Sequence, residues 1–248
     1  AILYNNLKPV FVDVNDKDLN LNIEDLKNKF DKDCVALIAV HFGGHPCEMD
    51  KIMSWARKKK IIVIEDCAHT CGGFYKNKKL GNWGDYGCFS FEDKKVITTG
   101  DGGMLVTNKT KKLKLLRSLS FHGWDKDPWK RHLKSGGKKS WYYEIKNLGF
   151  KYNMNNLLAS IGLVQLKKLN NLNKKRISIL KKYLSALKNC KSIYPAFPYK
   201  LNKSCYWLLT FRTKKRDMLM NFLKKKEFQP VYILCRSPYI LFIRNLIE

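Results

Sequence analysis

The 248-residue sequence contains no Cys-x-x-Cys pair, no basic-then-apolar leader with a cleavage site, and no apolar run near the ~20 residues of a membrane-spanning helix. The eight cysteines (Cys34, Cys47, Cys67, Cys71, Cys88, Cys190, Cys205 and Cys235) are scattered. Three of them, Cys34, Cys67 and Cys88, lie in apolar strand contexts, where a free thiol packs as a small hydrophobe. Cys67, His69 and Cys71 form a short run of metal-ligand types, but no second pair at suitable spacing follows, so a zinc site is not expected. The expectation is a reduced, cytoplasmic protein without a membrane span.

Acidic residues are scarce, 21 against 48 basic ones, for a net charge of +27. Arginine is scarce too: eight of the basic residues are Arg and forty are Lys. Proteins that read base edges lean on the bidentate Arg fork. Here the lysines fall in separate runs (Lys58–Lys60, Lys111–Lys114 and Lys224–Lys226), each in a helix-like segment. That pattern reads as a solvated surface rather than a nucleic-acid groove. A basic nucleic-acid binder stays open as a competing reading, marked by affinity that falls steeply with salt. With seven prolines and fifteen glycines the chain is not low in complexity, and at 45% hydrophobic it can bury a core of one large domain or slightly more.

Along the chain, apolar runs alternate with helical spacing. Strands are expected at Lys8–Val14, Cys34–Val40, Ile61–Glu65, Tyr86–Phe91 and Met104–Thr107. Helices are expected at Asn22–Phe30, where Asn22 can cap, at Glu48–Lys60 and at Leu113–Phe121. Two more are expected at Asn156–Leu169, capped by Asn155, and at Ile177–Leu187. Strand–helix–strand repetition implies an α/β fold with a mostly parallel sheet. After Tyr194-Pro195-Ala196-Phe197-Pro198 the composition shifts, and strand, helix, strand follow at Ser204–Thr213, Lys214–Lys225 and Phe228–Ile233. The expected boundary divides 1–195 from 196–248.

The stretch Val63–Asn108 carries the chemistry. Asp66, Ser90 and Lys95 all fall at or just past strand ends, where open α/β sheets bind ligands. A carboxylate, a hydroxyl and a lysine brought together there can serve one cofactor: the acid holds a pyridine nitrogen protonated, the hydroxyl binds phosphate, and the lysine forms a Schiff base. Each residue also has a plainer reading: Asp66 as a turn or cap acid, Ser90 as a strand hydroxyl, His69 as a core histidine. The pair His41 and His45 is separated by Gly-Gly in a turn-rich loop and lacks the helix of a metal motif.

The same residues bear a resemblance. Glu65-Asp66-Cys67-Ala68-His69, Gly84-Asp85, Ser90-Phe91, Lys95 and Thr98-Thr99-Gly100-Asp101-Gly102-Gly103 resemble, in order and spacing, the signature of the DegT/StrS-type nucleotide-sugar aminotransferases. The likeness continues through Leu148–Leu169 and more weakly to about Val231. It implies a pyridoxal-phosphate enzyme of fold type I, with a large cofactor-binding domain and part of a smaller α+β C-terminal domain. It implies transamination of a nucleotide-linked keto sugar, with glutamate as donor, for amino-sugar and cell-surface polysaccharide biosynthesis, in a homodimer with shared sites. Lys95, five residues after Ser90, takes the catalytic role rather than Lys94. Asp66 pairs with the pyridinium, His69 lies near the ring and its phenolic oxygen, and Ser90 contacts phosphate. Lys151, where many members carry Asn, reaches the partner subunit's cofactor. Asp101 replaces the usual Glu, Asn156 the common Asp and Leu158 the common Gln. The aromatic block Trp124–Gly137 and Trp141-Tyr142-Tyr143 resembles a loop that reaches across the dimer, or is ordinary packing. By the resemblance the chain begins after an N-terminal segment bearing a phosphate contact and a stacking aromatic, and stops before the family's usual end. The competing expectation is a catalytically incomplete remnant that binds a ligand or dimerises.

Overall fold

The computed structural model describes residues 1–124, 144–196, 198–199 and 205–226, and residues 240–245 by their backbone. Its elements in chain order are β1 (Leu7–Val12), α1 (Ile23–Lys29), β2 (Cys34–Val40), α2 (Met49–Lys59), β3 (Ile62–Asp66), β4 (Phe74–Tyr75), β5 (Lys78–Lys79), β6 (Tyr86–Ser90) and β7 (Gly103–Val106). There follow α3 (Leu113–Leu119), α4 (Asn156–Ala186), β8 (Tyr194–Pro195), β9 (Phe211–Arg212), α5 (Arg216–Lys225) and β10 (Ile240–Asn245).

Six strands form one sheet in the order β1-β10-β2-β3-β6-β7. β2, β3 and β6 are parallel neighbours, whereas β7 runs antiparallel to β6 and β10 antiparallel to both β1 and β2. The sheet is thus mixed: β1, β2, β3 and β6 run one way and β7 and β10 the other, and the parallel centre β2-β3-β6 is the part that the alternation of strands and helices predicts. β2 is covered on both faces, which suits its unbroken apolar sequence CVALIAV.

The main core lies between this sheet and the helices α1 and α2. Leu26 of α1 and Met49, Ile52, Met53 and Ala56 of α2 pack with Val12, Leu37, Ala39 and Val63. The α2 positions recur at i, i+3, i+4 and i+7, one stripe of a helix. Each large side chain buried there contributes roughly 1.5–3 kcal/mol. Asn22 caps α1 by accepting from the N–H groups of Glu24 and Asp25, and Asn155 caps α4 by accepting from Leu158 N–H at 2.9 Å. α2 ends where Lys60 turns left-handed (φ 58°).

Two expectations are corrected. The two helices expected at 156–169 and 177–187 are one continuous helix, α4. The polar stretch between them, Asn170 to Arg176, holds no Gly or Pro, so nothing interrupts the backbone hydrogen bonds. The strand expected at Ser204–Thr213 is, among the described residues, only the short β9. Cys205 and Tyr206 are buried, and the segment docks on the loop after β2 instead of pairing along a ladder. Ile240–Asn245, beyond the last strand expected from the sequence, forms β10 and inserts between β1 and β2. The strand expected at Phe228–Ile233 and the aromatic block around Trp129, Arg131, His132 and Trp141 lie outside the described residues.

Candidate active site

Strand register sets the site. Val40 lies opposite Asp66, and Asp66 opposite Cys88, so β2, β3 and β6 end at one edge of the sheet. Ser90 closes β6 opposite Gly103 of β7. The chain then turns, with Lys95 N–H donating to Glu92 O at 3.0 Å and Thr99 N–H to Phe91 O at 2.9 Å. Asp66, Ser90 and Lys95 are therefore brought to the carboxyl ends of adjacent strands, where the sequence places them.

Asp66 uses one carboxylate oxygen to accept from Ala68 N–H at 3.0 Å. This is the turn role of the plainer reading, and it leaves the second oxygen without a donor among the described residues. Ser90 Oγ takes only a long contact from Glu92 N–H, 3.4 Å, so its own proton stays available. Lys95 is half-buried and Lys94 exposed, which separates the two neighbours in space as well as in spacing. The Lys95 ammonium forms no ion pair among the described residues and lies 4.5 Å from the centre of the Trp207 ring.

His69 stacks on the same Trp207 indole, with centroids 4.1 Å apart and planes 16° from parallel. Its Nδ1 accepts from Gly43 N–H at 3.2 Å, which leaves Nε2 as the proton-bearing nitrogen. Burial, joined by the charge of Lys95, pushes its pKa down to about 4 against the opposing pull of Asp66. At neutral pH the ring is uncharged and can donate through Nε2.

Lys151 stands apart from these four. It bridges to Phe121, and its ammonium lies 5.1 Å over the Phe121 ring. No hydrogen bond, ion pair or ring contact joins it to Asp66, His69, Ser90 or Lys95 among the described residues.

Beneath the site sits a buried network that the sequence only hinted at. Glu65, fully buried next to Asp66, accepts from Gly81 N–H (2.9 Å), Trp83 N–H (2.7 Å) and Gly84 N–H (2.7 Å). Its fourth partner is His41 Nε2 at 3.1 Å. His41 Nδ1 in turn accepts from Cys47 N–H at 3.1 Å, so the ring proton sits on Nε2. Burial opposes ionisation of Glu65, but the His41 hydrogen bond and then the Gly84 and Gly81 N–H groups outweigh it and hold the carboxyl below its ordinary range. The network ties the end of β3 to the loop after β2 and to the turn before β6. Gly81, at φ +89°, is needed in that turn because a Cβ there would meet the Phe89 ring at 2.6 Å.

His41, Glu65 and Cys67 offer ligand atoms within 4.8 Å of one another. They are not the Cys67–His69–Cys71 run noticed in the sequence. The His41 and Glu65 atoms are already engaged in protein hydrogen bonds, and burial followed by the nearby Glu65 pushes the Cys67 thiol far up, keeping it protonated. An open cleft of about 390 Å³ lies at the opposite end of β3 from Asp66, lined among others by Arg57, Lys60, Lys78 and Trp83, and includes none of Asp66, His69, Ser90 and Lys95.

The model of the DegT/DnrJ/EryC1/StrS aminotransferase family matches residues 1–240. The chain belongs to this family. An uncharacterised protein of Methanocaldococcus jannaschii is 44% identical over 193 residues, covering 78% of this chain and 49% of the relative. GDP-perosamine synthase of Escherichia coli O157:H7 is 32% identical over 249 residues, covering 94% of this chain and 61% of that enzyme. The chain therefore spans about half to three-fifths of the length of these relatives. The sugar aminotransferase Spr1654 of Streptococcus pneumoniae, titled putative and solved in its PMP form, superposes with a TM-score of 0.78 at 24% identity, over 89% of this chain and 61% of its own. That likeness fixes the fold, the α/β architecture of the pyridoxal-phosphate sugar aminotransferases.

Pyridoxal phosphate is the cofactor of this aminotransferase family, and the donor set fits it. Among the described residues, a carboxylate with one uncommitted oxygen, a hydroxyl with an uncommitted proton, a neutral imidazole and an amine without a carboxylate partner lie at one edge of the sheet. Sequence reasoning missed Trp207; the only signal was an indole inside the apolar run Cys205–Leu209.

Proposed function

We propose that this chain carries the cofactor-binding part of an aminotransferase that acts on a nucleotide-linked keto sugar, with an amino acid, glutamate, as donor. The observation that carries the reading is the convergence of Asp66, His69, Ser90 and Lys95, with the Lys95 amine free of any carboxylate among the described residues. GDP-perosamine synthase supports the nucleotide-sugar class.

Pyridoxal phosphate, when bound, supplies the electron sink that transamination needs. Asp66 would hold the pyridine nitrogen protonated with its uncommitted oxygen. Ser90 would donate its hydroxyl to phosphate. His69, uncharged, would donate from Nε2 to the ring's phenolic oxygen. Lys95 would hold the cofactor through Nζ until the donor's amino group displaces it. The freed Nζ amine would then take the proton from the donor carbon that bears the amino group and deliver it to the cofactor carbon that had held Lys95.

Several further parts belong to the same proposal. Residues 1–195 form the cofactor-binding unit and 196–248 the start of a smaller one, with β10 reaching back into the first unit's sheet. The protein works as a homodimer in which Lys151 reaches the partner's cofactor. Support for an unfilled contact comes from α4, where Leu157, Ile161 and Val164 are exposed at i, i+4 and i+7. The seven described cysteines are free thiols, which supports a cytoplasmic setting. No helix among the described residues is long and apolar enough to cross a membrane.

The test is to supply the full-length protein containing these residues with glutamate and a panel of nucleotide-linked 3-keto and 4-keto hexoses. Formation of 2-oxoglutarate with stoichiometric amino-sugar nucleotide is expected. Turnover of none of the sugars, in a protein that has taken up pyridoxal phosphate, would contradict the substrate class.

A further inference from the structure

We infer that Trp207 is a positioning residue of this site, one indole that fixes the His69 ring and the Lys95 amine in a single arrangement and ties both to the C-terminal third of the chain. The inference deepens the proposed function and rests on it for what the two side chains do.

Trp207 meets both partners through its ring, stacked on His69 at 4.1 Å and lying 4.5 Å from the Lys95 ammonium. An aromatic face packs well against both a lysine amine and a neutral imidazole, so one ring positions the two side chains at once. The indole is itself held. Its Nε1 donates to the carbonyl of Lys94 at 2.6 Å. Its backbone N–H donates to Gly43 O at 2.9 Å, and Leu208 N–H donates to the same oxygen at 3.1 Å. Cys205 and Tyr206, just before it, are almost wholly buried.

The loop after β2 is shaped to receive this segment. Gly44 adopts φ +93°, and a Cβ there would lie 2.7 Å from Cys205 O and from Tyr206 Cα, and 2.8 Å from Trp207 N. Those are backbone atoms, which cannot swing aside as a side chain can. Buried Asn20 clamps the same loop, accepting from Phe42 N–H at 3.0 Å and donating to His45 O at 3.1 Å. Gly43-Gly44 thus has a function that the sequence alone did not assign. Gly43 O anchors the Trp207 segment, Gly43 N–H orients His69, and Gly44 lets the two chains approach.

The experiment uses the chain without cofactor. Histidine-ring NMR, with His69 assigned by His69→Gln, follows its titration, and Lys95 acetylation relative to Lys94 is read by peptide mass spectrometry. In the wild type His69 titrates near 4, with Lys95 and Asp66 as the charged groups facing it. Trp207→Ala should raise that midpoint by about one unit or more, because burial is its main cause, and should raise the Lys95:Lys94 labelling ratio severalfold. Trp207→Phe should restore most of both. A folded Trp207→Ala chain with both readouts unchanged would overturn the inference. If Trp207→Ala does not fold, the wild type still decides: the His69 ring protons must resonate upfield of their positions in the urea-unfolded chain through the indole ring current, and their absence from that region overturns the assignment. Pyridoxal phosphate enters none of these measurements, so a chain that passes them yet fails to capture the cofactor counts against the proposed function alone.

Discussion

Replacing Glu65 by Gln is the sharpest probe of the scaffold under the site. The carboxylate is fully buried and accepts four hydrogen bonds, Trp83 and Gly84 N–H on Oε1 and Gly81 N–H and His41 Nε2 on Oε2. A glutamine keeps one acceptor oxygen and puts an NH₂ group where the other was. That donor then faces two donors, because His41 cannot switch tautomer without abandoning Cys47 N–H. Each buried donor left without an acceptor costs about 1–3 kcal/mol. Relief from burying a charge offsets part of this, so a net loss of about 2–4 kcal/mol is expected. Alanine orphans all four donors and leaves a void, for a loss above about 4 kcal/mol. Against a typical stability of about 5–15 kcal/mol, glutamine should lower Tm by roughly 5–15 °C. Urea unfolding measures this as a shift in midpoint at constant m-value. The pH profile gives an independent check. A carboxyl held below its ordinary range contributes stability that is present above pH ~4.3 and lost as pH falls through its folded-state value. Glu65→Gln should therefore flatten the acid limb. A glutamine variant within about 0.5 kcal/mol of wild type, well under the cost of one orphaned donor, would refute the network as the element that holds the end of β3.

His69 predicts a second, higher pH window. Its folded value of about 4 lies below the ordinary 6.5, so the unfolded chain binds the proton more tightly, and stability falls as pH drops from about 6.5 toward 4. The loss is at most on the order of 3 kcal/mol. His69→Gln should abolish that slope in urea midpoints measured across the window, and a persisting slope would assign it to another group. On α4, Leu157→Glu combined with Val164→Glu should convert a dimer of the full-length protein to monomer by sedimentation; an unchanged dimer would place the interface elsewhere.

Much of the site was legible because it is local. The apolar runs of β3 and β6 each end on a polar residue, and parallel register then carries Asp66 and Ser90 to one edge without further information. The caps at Asn22 and Asn155 were legible for the same reason, since a side chain and an N–H two or three residues on suffice. What escaped is long-range. Trp207 lies 113 residues from its Lys94 partner, and its contacts depend on how the segment docks, not on any local pattern. β10 pairs with two strands far earlier in the chain, and an apolar tail does not reveal which edge or gap it fills. The continuity of α4 was obscured because its polar middle looked like a break, although helices yield to Gly or Pro rather than to polarity alone. Glu65 was visible as a neighbour of Asp66, but its acceptor role rests on three backbone N–H groups that any residue type would supply.

The central claim is that Lys95 is the lysine that takes the cofactor. Incubation of the purified chain with pyridoxal phosphate, borohydride reduction and peptide mass spectrometry test it directly. Forty lysines compete for the label, so the measurement discriminates strongly. A pyridoxyl group concentrated on Lys95, and lost in Lys95→Ala, is the predicted result. Label spread thinly over surface lysines, with Lys95 no more modified than the exposed Lys94, would contradict it.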